Sequence, residues 1–236
     1  MSLFDFDYLI VFNPRYDDAS LTDLFSFFSK NGIRRFFFCE PFDHNCHSIS
    51  QVKCRIRDIK KVIGARCPRG VRFSVCADIQ MSDGISSVSA LRRLLIPHTD
   101  SLFLRLPIFR FDDWINTELN SILFRHRFLP IFSCFEANLK TNPSHQLTQL
   151  IHSDPFRVCL DINYMTAPFS QPILYDLIQR NVPILPCISY SLSDYAGAIT
   201  GFDQLKSEIG SPLYTKLCRN IQRAKAYILP VKKQEK

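Results

Sequence analysis

The sequence predicts a closed α/β barrel of seven parallel strands. Seven apolar runs of about five to seven residues recur about every 28 residues along the 236-residue chain. Runs that are apolar throughout, without alternation, are typical of parallel strands buried on both faces. Helix-like segments fill the intervals, and the 7 glycines form no phosphate-binding loop. Repeated units of similar length favour a distorted TIM-like (β/α)7 barrel, with an open doubly wound sheet as the alternative.

The predicted strands are short segments rich in Phe, Val, Ile and Leu. They are Tyr8–Phe12, Arg34–Cys39, Val71–Ala77, Ser101–Leu106, Leu129–Cys134, Arg157–Asp161 and Pro183–Cys187. Barrels of this kind build their sites from residues at the carboxyl ends of the strands. Functional residues are therefore expected at those ends.

The segments between the strands carry apolar residues at helical spacing. They are Leu21–Lys30, Ser50–Ile63, Asp112–His126, Pro143–Ile151, Pro172–Gln179, Gly201–Glu208 and Leu213–Leu229. Ser20 is expected to cap the first helix, and Gly32 to follow its end. Asp17 and Asp18 could hold one metal ion, or either could cap this helix; capping is favoured, because a negative charge suits the start of a helix.

Composition predicts one globular domain over residues 1–230, followed by a basic tail at 231–236. Apolar residues make up 46% of the chain and charged residues 22%, and no linker divides it. No apolar run is long enough to span a membrane, and the amino terminus is unlike a signal peptide. The odd count of 9 cysteines then indicates reduced thiols in a cytoplasmic protein.

The first predicted strand and the loop after it carry a motif. The segment from Asp7 to Ser20 contains Pro14, Asp17 and Asp18. It resembles, without gaps, the D-x-H-x-H-x-L-P-G-x-D-D-G opening of bacterial capsule-locus protein-tyrosine phosphatases of the polymerase and histidinol phosphatase (PHP) superfamily. Scattered identities extend the resemblance over residues 7–229, and it implies a PHP-type barrel.

The resemblance also implies that the family's metal ligands are lost. Apolar residues replace ligands at the degenerate positions Leu9, Val11, Phe42 and Ile188. The vestigial site candidates are Asp17, Asp78, Cys134, Glu136 and Tyr190. Apolar side chains have no lone pair to offer a hard cation, so no metal or other cofactor is expected. The apolar replacements are taken to fill and close the barrel mouth.

Cysteines near strand ends offer a different interpretation of the same barrel. They are Cys39, Cys76, Cys134, Cys159 and Cys187. If several converged with Asp78, they would form a rebuilt soft-metal site. The favoured interpretation is that they are small buried residues. The His44-Asn45-Cys46-His47 segment is interpreted as a polar loop, because it lacks a second pair of ligands.

The strongest charge feature lies between Lys53 and Arg72, where eight cations face the single acid Asp58. Four of them, Lys53, Arg57, Lys60 and Lys61, lie opposite an apolar face formed by Val52, Ile56, Ile59 and Ile63. The neutral interpretation is a solvated helix face. The functional one is an anion-binding patch, in keeping with a net charge of +7.

The favoured function is a pseudoenzyme that acts by binding. By resemblance, its partner is an acidic or phosphotyrosine-bearing protein segment in capsular polysaccharide biosynthesis, and the ancestral protein-tyrosine phosphatase activity is absent. One alternative is a basic RNA-binding subunit resembling the PHP-like protein of ribonuclease P. Another is a metal-dependent phosphoester hydrolase with a rebuilt Cys/Asp/Glu site. The sequence leaves the partner's identity and the oligomeric state open.

Overall fold

A computed structural model gives the fold of this protein. It describes residues 7–12, 14–42, 49–80, 101–105, 129–130, 132–133, 158–166, 171–189 and 195–228. Of the predicted elements, the helices Asp112–His126 and Pro143–Ile151 lie outside these ranges. The single domain over residues 1–230 and the tail at 231–236 remain predictions.

Parallel strands form the centre of the fold. They are β1 (Tyr8–Phe12), β2 (Arg35–Phe42), β3 (Arg72–Gln80), β4 (Ser101–Arg105), β5 (Leu129–Pro130), β6 (Phe132–Ser133), β7 (Val158–Asp161) and β8 (Ile184–Ser189). Their order in the sheet is β5-β4-β3-β2-β1-β8-β7-β6, and every pair is parallel. The strands β5 and β6 end the order on opposite sides, yet a single residue separates them in the chain. The described strands are therefore closed into a TIM-like ring, in which β5 and β6 together supply one of the seven strand positions.

Helices cover the outside of this ring. They are α1 (Asp18–Lys30), α2 (Ile49–Arg66), α3 (Ile162–Thr166), α4 (Gln171–Gln179), α5 (Tyr195–Ile209) and α6 (Ser211–Ile228). None of the helices in the described ranges is long and apolar enough to cross a membrane.

Aromatic contacts identify the face of the sheet that the helices cover. The ring of Phe25 in α1 packs edge-on against Phe36 and Phe38 of β2, with centroids 5.3 and 5.9 Å apart. Side chains alternate between the two faces of a strand, so Phe37 and Cys39 belong to the opposite face. That opposite face lines the inside of the ring.

The start of α1 confirms one sequence prediction, capping by an aspartate, and corrects another, capping by Ser20. The helix begins at Asp18 and is capped by Asp17, not by Ser20. Asp17 accepts hydrogen bonds from the backbone N–H and the hydroxyl of Ser20, both at 2.9 Å. The carboxylate of Asp17, three residues upstream, satisfies the amide of Ser20, which lies inside the first turn of the helix. The predicted role of Gly32 is confirmed: its φ of 95° ends the helix in the left-handed region.

Most predicted strands and helices are present with shifted ends. The strand β1 matches its prediction, whereas β2 continues three residues beyond Cys39 and β3 three beyond Ala77. The helix α3 was not predicted from the sequence. The helix α6 is tied to the amino end of the ring, because the buried hydroxyl of Tyr8 donates to the carbonyl of Ile221 at 2.8 Å.

Candidate functional site

A buried carboxylate lies near the carboxyl end of β2, where sites of such barrels are expected. Glu40 is 8% exposed, and it lies on the helix-covered face because Phe36, Phe38 and Glu40 are successive second residues of β2. Its Oε2 accepts the hydroxyl of Tyr16, from the β1–α1 loop, at 2.9 Å. Its Oε1 accepts Nε of Arg55, in the second turn of α2, at 3.1 Å. The cluster therefore joins a strand, a loop and a helix.

Arg55 contributes in two further ways. Its Nη2 lies 3.1 Å from the same Oε1 of Glu40, and its guanidinium carbon lies 5.8 Å from the centroid of the Tyr16 ring. The side chain of Arg55 is 55% exposed, so water screens its outer edge. The contact over the ring adds a cation–π attraction to the ion pair.

Burial strongly raises the pKa of the Tyr16 hydroxyl above its ordinary value, and the negative charge of Glu40 raises it further. Tyr16 therefore remains a neutral donor throughout the physiological range. Both oxygens of Glu40 are occupied, and its charge is balanced by Arg55. This arrangement stabilises the carboxyl end of β2 by joining it to the β1–α1 loop and to α2.

Glu40, Tyr16 and Arg55, which together form the Glu40 cluster, were not predicted from the sequence as a site. Glu40 is the one acid within the apolar run from Phe36 to Phe42. An acid in such a run must find partners when it is buried, and this is the signal that could have revealed it. Its two partners could not be identified from the sequence, because they lie 24 and 15 residues away.

The described positions at which the resemblance places lost metal ligands are apolar. Leu9, Val11 and Ile188 each have 0% exposure. Leu9 and Val11 pair in register with Phe36 and Phe38. Neighbours in register share a face, so these two residues belong to the layer packed against α1. The expectation that they fill the barrel mouth is corrected by this register.

The other face of β1 carries no hard-cation ligand either. Ile10 and Phe12, which alternate with Leu9 and Val11, are buried apolar residues. Tyr8 is the one residue of the strand whose side chain has an oxygen, and that hydroxyl donates a hydrogen bond to the backbone carbonyl of Ile221. Neither face of β1 therefore has a counterpart of the two histidines in the motif that this strand resembles.

The vestigial site candidates are placed only in part. Asp17 is an exposed helix cap, and the backbone and side-chain hydrogen bonds from Ser20 lower its pKa. Asp78 pairs through its backbone with Pro41 and Phe103, and its side chain lies outside the described part of the structure. The same holds for the side chain of Phe42. Cys134, Glu136 and Tyr190 lie outside the described residues altogether, as does the segment His44-Asn45-Cys46-His47.

Two of the cysteines are neighbours. Cys39 and Cys76 pair in register across β2 and β3, and both are fully buried. Cys187 is also buried, next to Ile10 of β1. The burial expected of structural cysteines is confirmed for these three. Within the described residues, no group of three or more His, Cys, Asp or Glu side chains could hold a metal ion.

The predicted division of α2 into two faces is confirmed. Val52, Ile56, Ile59 and Ile63 are 0–3% exposed and pack onto the sheet. On the other side, Lys53, Arg57 and Lys61 are exposed, and Lys60 is half-buried. Arg57 makes a loose ion pair with the adjacent Asp58 at 3.8 Å, with both side chains largely in water. Such an exposed pair contributes little stability and binds Arg57 only weakly.

Comparison with protein-family models and with curated proteins finds no match for this sequence. Among solved structures, the fold is similar to the crystal structure of dihydrodipicolinate synthase from Rhodopseudomonas palustris. The TM-score is 0.44 and the sequence identity 10%, over 94% of this chain and 82% of that chain. The barrel assignment rests on the strand pairing of the chain itself.

Proposed function

We propose that this protein is a non-catalytic barrel of PHP type that acts by binding an acidic or phosphorylated protein segment. One observation carries the non-catalytic part: all five residues of β1 are buried, and neither face of the strand offers a free ligand atom. Metal-dependent hydrolysis needs a cation held by several oxygen or nitrogen ligands, with an open position for water. A first strand without ligands lacks both of the positions, Leu9 and Val11, at which the resemblance places metal ligands on this strand.

The PHP type of the barrel is part of the proposal. Support comes from the ring of seven parallel strand positions and from the motif that includes Pro14, Asp17 and Asp18. The role of Asp17 as a helix cap explains how this acid can persist without a metal. The binding part rests on the exposed cations of α2.

An assay of phosphoester hydrolysis tests the proposal. Purified protein would be incubated with an aryl phosphate and a phosphotyrosine peptide, with Mn²⁺, Zn²⁺ or Fe²⁺ added in turn. The expected result is no turnover above that of the buffer with metal alone. Turnover that disappears in Asp78→Asn would overturn the proposal, because it would assign the hydrolysis to this chain and to a rebuilt site. Turnover that persists in that variant would be compared with Glu136→Gln, the other retained carboxylate.

A further inference from the structure

The exposed cations of α2 form a row with regular spacing. Lys53, Arg57 and Lys61 are four residues apart, and all three are exposed. At 1.5 Å of rise per residue, neighbours in this basic row lie about 6 Å apart along the helix axis. Lys53 and Lys61 have no acidic partner among the described residues. The row is therefore a ridge of positive charge, inclined to the helix axis, on an element whose other face is buried in the core.

Three arginines continue the charge beyond the end of α2. Arg34, Arg69 and Arg72 are exposed at the amino-terminal rim of the barrel. The backbone of Arg72 donates to the carbonyl of Arg34 at 2.8 Å, and the guanidinium of Arg34 lies beside the turn at Gly70. These rim arginines and the basic row together extend over more than the length of α2 from Lys53, which is about 20 Å.

We infer that the basic row and the rim arginines bind an extended polypeptide segment with acidic residues at alternate positions. This inference rests on the proposed function and names the chemistry of its partner. In an extended chain, every second side chain lies on the same face, about 6.6 Å apart. That repeat matches the spacing of about 6 Å in the basic row, so successive carboxylates or phosphates meet successive cations.

The surface fits a single-stranded nucleic acid less well. Recognition of single strands requires aromatic side chains on which the bases stack. The exposed large hydrophobic residue in the described structure is Tyr175, which lies on α4 and not on α2. A carboxylate or phosphate partner needs only the cations.

Arg55 belongs to the same helix but not to the binding surface. Its guanidinium is bound to Glu40, so an approaching anion meets a neutralised pair. The distinction matters for the design of variants. Changes at Lys53, Arg57 and Lys61 alter exposed charge and the loose Arg57–Asp58 pair, whereas a change at Arg55 would also remove contacts to the buried Glu40 and destabilise the fold.

A binding experiment tests the inference on the full chain. The probe is a labelled twelve-residue peptide in which Glu alternates with Thr, a residue that favours extended backbone. Its control has the same composition with the six Glu contiguous. We expect the alternating peptide to bind several-fold more tightly, and the triple variant K53E/R57E/K61E to weaken it by about tenfold or more.

A matched variant separates this surface from general electrostatic attraction. The triple variant K216E/R219E/R223E on α6 removes the same net charge from exposed positions. We expect it to weaken binding by less than about threefold, since distant exposed charges are screened at physiological salt. Circular dichroism would verify that both triple variants are folded.

Three results would overturn the inference: equal losses in the two triple variants, equal binding of the two peptides, or tighter binding of a duplex RNA that the α2 variant abolishes. None of these three results changes the outcome expected in the hydrolysis assay. Conversely, turnover in that assay would contradict the non-catalytic part of the proposed function, and the peptide measurement would still test the binding surface. The two failures are therefore distinguishable.

Discussion

Removing the Tyr16 hydroxyl tests whether the Glu40 cluster stabilises the barrel as its geometry indicates. In Tyr16→Phe, Oε2 of Glu40 loses a 2.9 Å hydrogen bond in a place where the carboxylate is 8% exposed. A hydrogen bond to a charged group contributes about 1.5–3 kcal/mol, and little water is available to replace it. We therefore expect the free energy of unfolding to fall by about 2 kcal/mol. For a chain of this size, the melting temperature should fall by about 4–8 °C.

A double-mutant cycle isolates the interaction between the two side chains. In Glu40→Gln, the same hydroxyl donates to a neutral amide, and a neutral hydrogen bond contributes only about 1 kcal/mol. The loss caused by Tyr16→Phe should therefore shrink by about 1 kcal/mol in the Glu40→Gln background. Urea unfolding of the four proteins measures these free energies. The control Tyr175→Phe, at a side chain that is 53% exposed, should change stability by less than about 0.5 kcal/mol.

The pH dependence gives a second signature of Tyr16. Its pKa is raised in the folded protein, mainly by burial, so its proton is held more tightly there than in the unfolded chain. The stabilisation is present in full below about pH 10 and is lost as the pH rises further, by up to about 1.4 kcal/mol per pH unit. Tyr16→Phe should lack this part of the loss. Additive effects in the cycle, together with an unchanged alkaline slope, would refute the reasoning.

Substitutions at three further positions have defined outcomes in thermal unfolding. Asp17→Ala should lower the melting temperature, whereas Asp17→Asn should retain most of the capping stabilisation. The pKa of Asp17 is lowered in the folded protein, so the stabilisation that its carboxylate gives to α1 should be lost as the pH falls below about 4. Gly64→Ala should stabilise α2 by about 0.5–1 kcal/mol, since the added methyl group would lie 3.7 Å from Phe73 in ordinary contact; a loss of stability would contradict that packing. Leu9→His should lower the free energy of unfolding by about 3–5 kcal/mol without creating a metal site, whereas Leu9→Met should lower it by less than about 1.5 kcal/mol. A stable Leu9→His variant that binds Zn²⁺ would show that Leu9 does not belong to the face packed against α1.

The strands could be predicted from the sequence because each is an apolar run bounded by polar residues. Tyr8–Phe12 is β1 without change. The end of β2 was predicted wrongly because Glu40 is a charged residue within the apolar run, and the strand was expected to end before it. In the folded chain, Tyr16 and Arg55 give this carboxylate the hydrogen bonds that water would otherwise supply, so the strand continues to Phe42. Such distant partners leave no trace in the local pattern.

The face on which a β1 residue lies could not be predicted, for a different physical reason. A strand buried on both sides has no alternation of apolar and polar residues, and alternation is the signal that reveals a face. The assignment of Leu9 and Val11 to the layer against α1 required the register with β2 and the contacts of Phe25. The faces of α2 were predicted correctly, because Val52 and Ile56 alternate with Lys53 and Arg57 at helical spacing.

The metal content of the purified protein tests the central claim most directly. The chain would be expressed with added manganese, zinc and iron, and the ions per chain measured by mass spectrometry. A barrel whose first strand has no ligand on either face should contain clearly less than one ion per chain. One or more tightly bound ions per chain would contradict the account, because it would mean that other residues of this barrel had rebuilt a metal site.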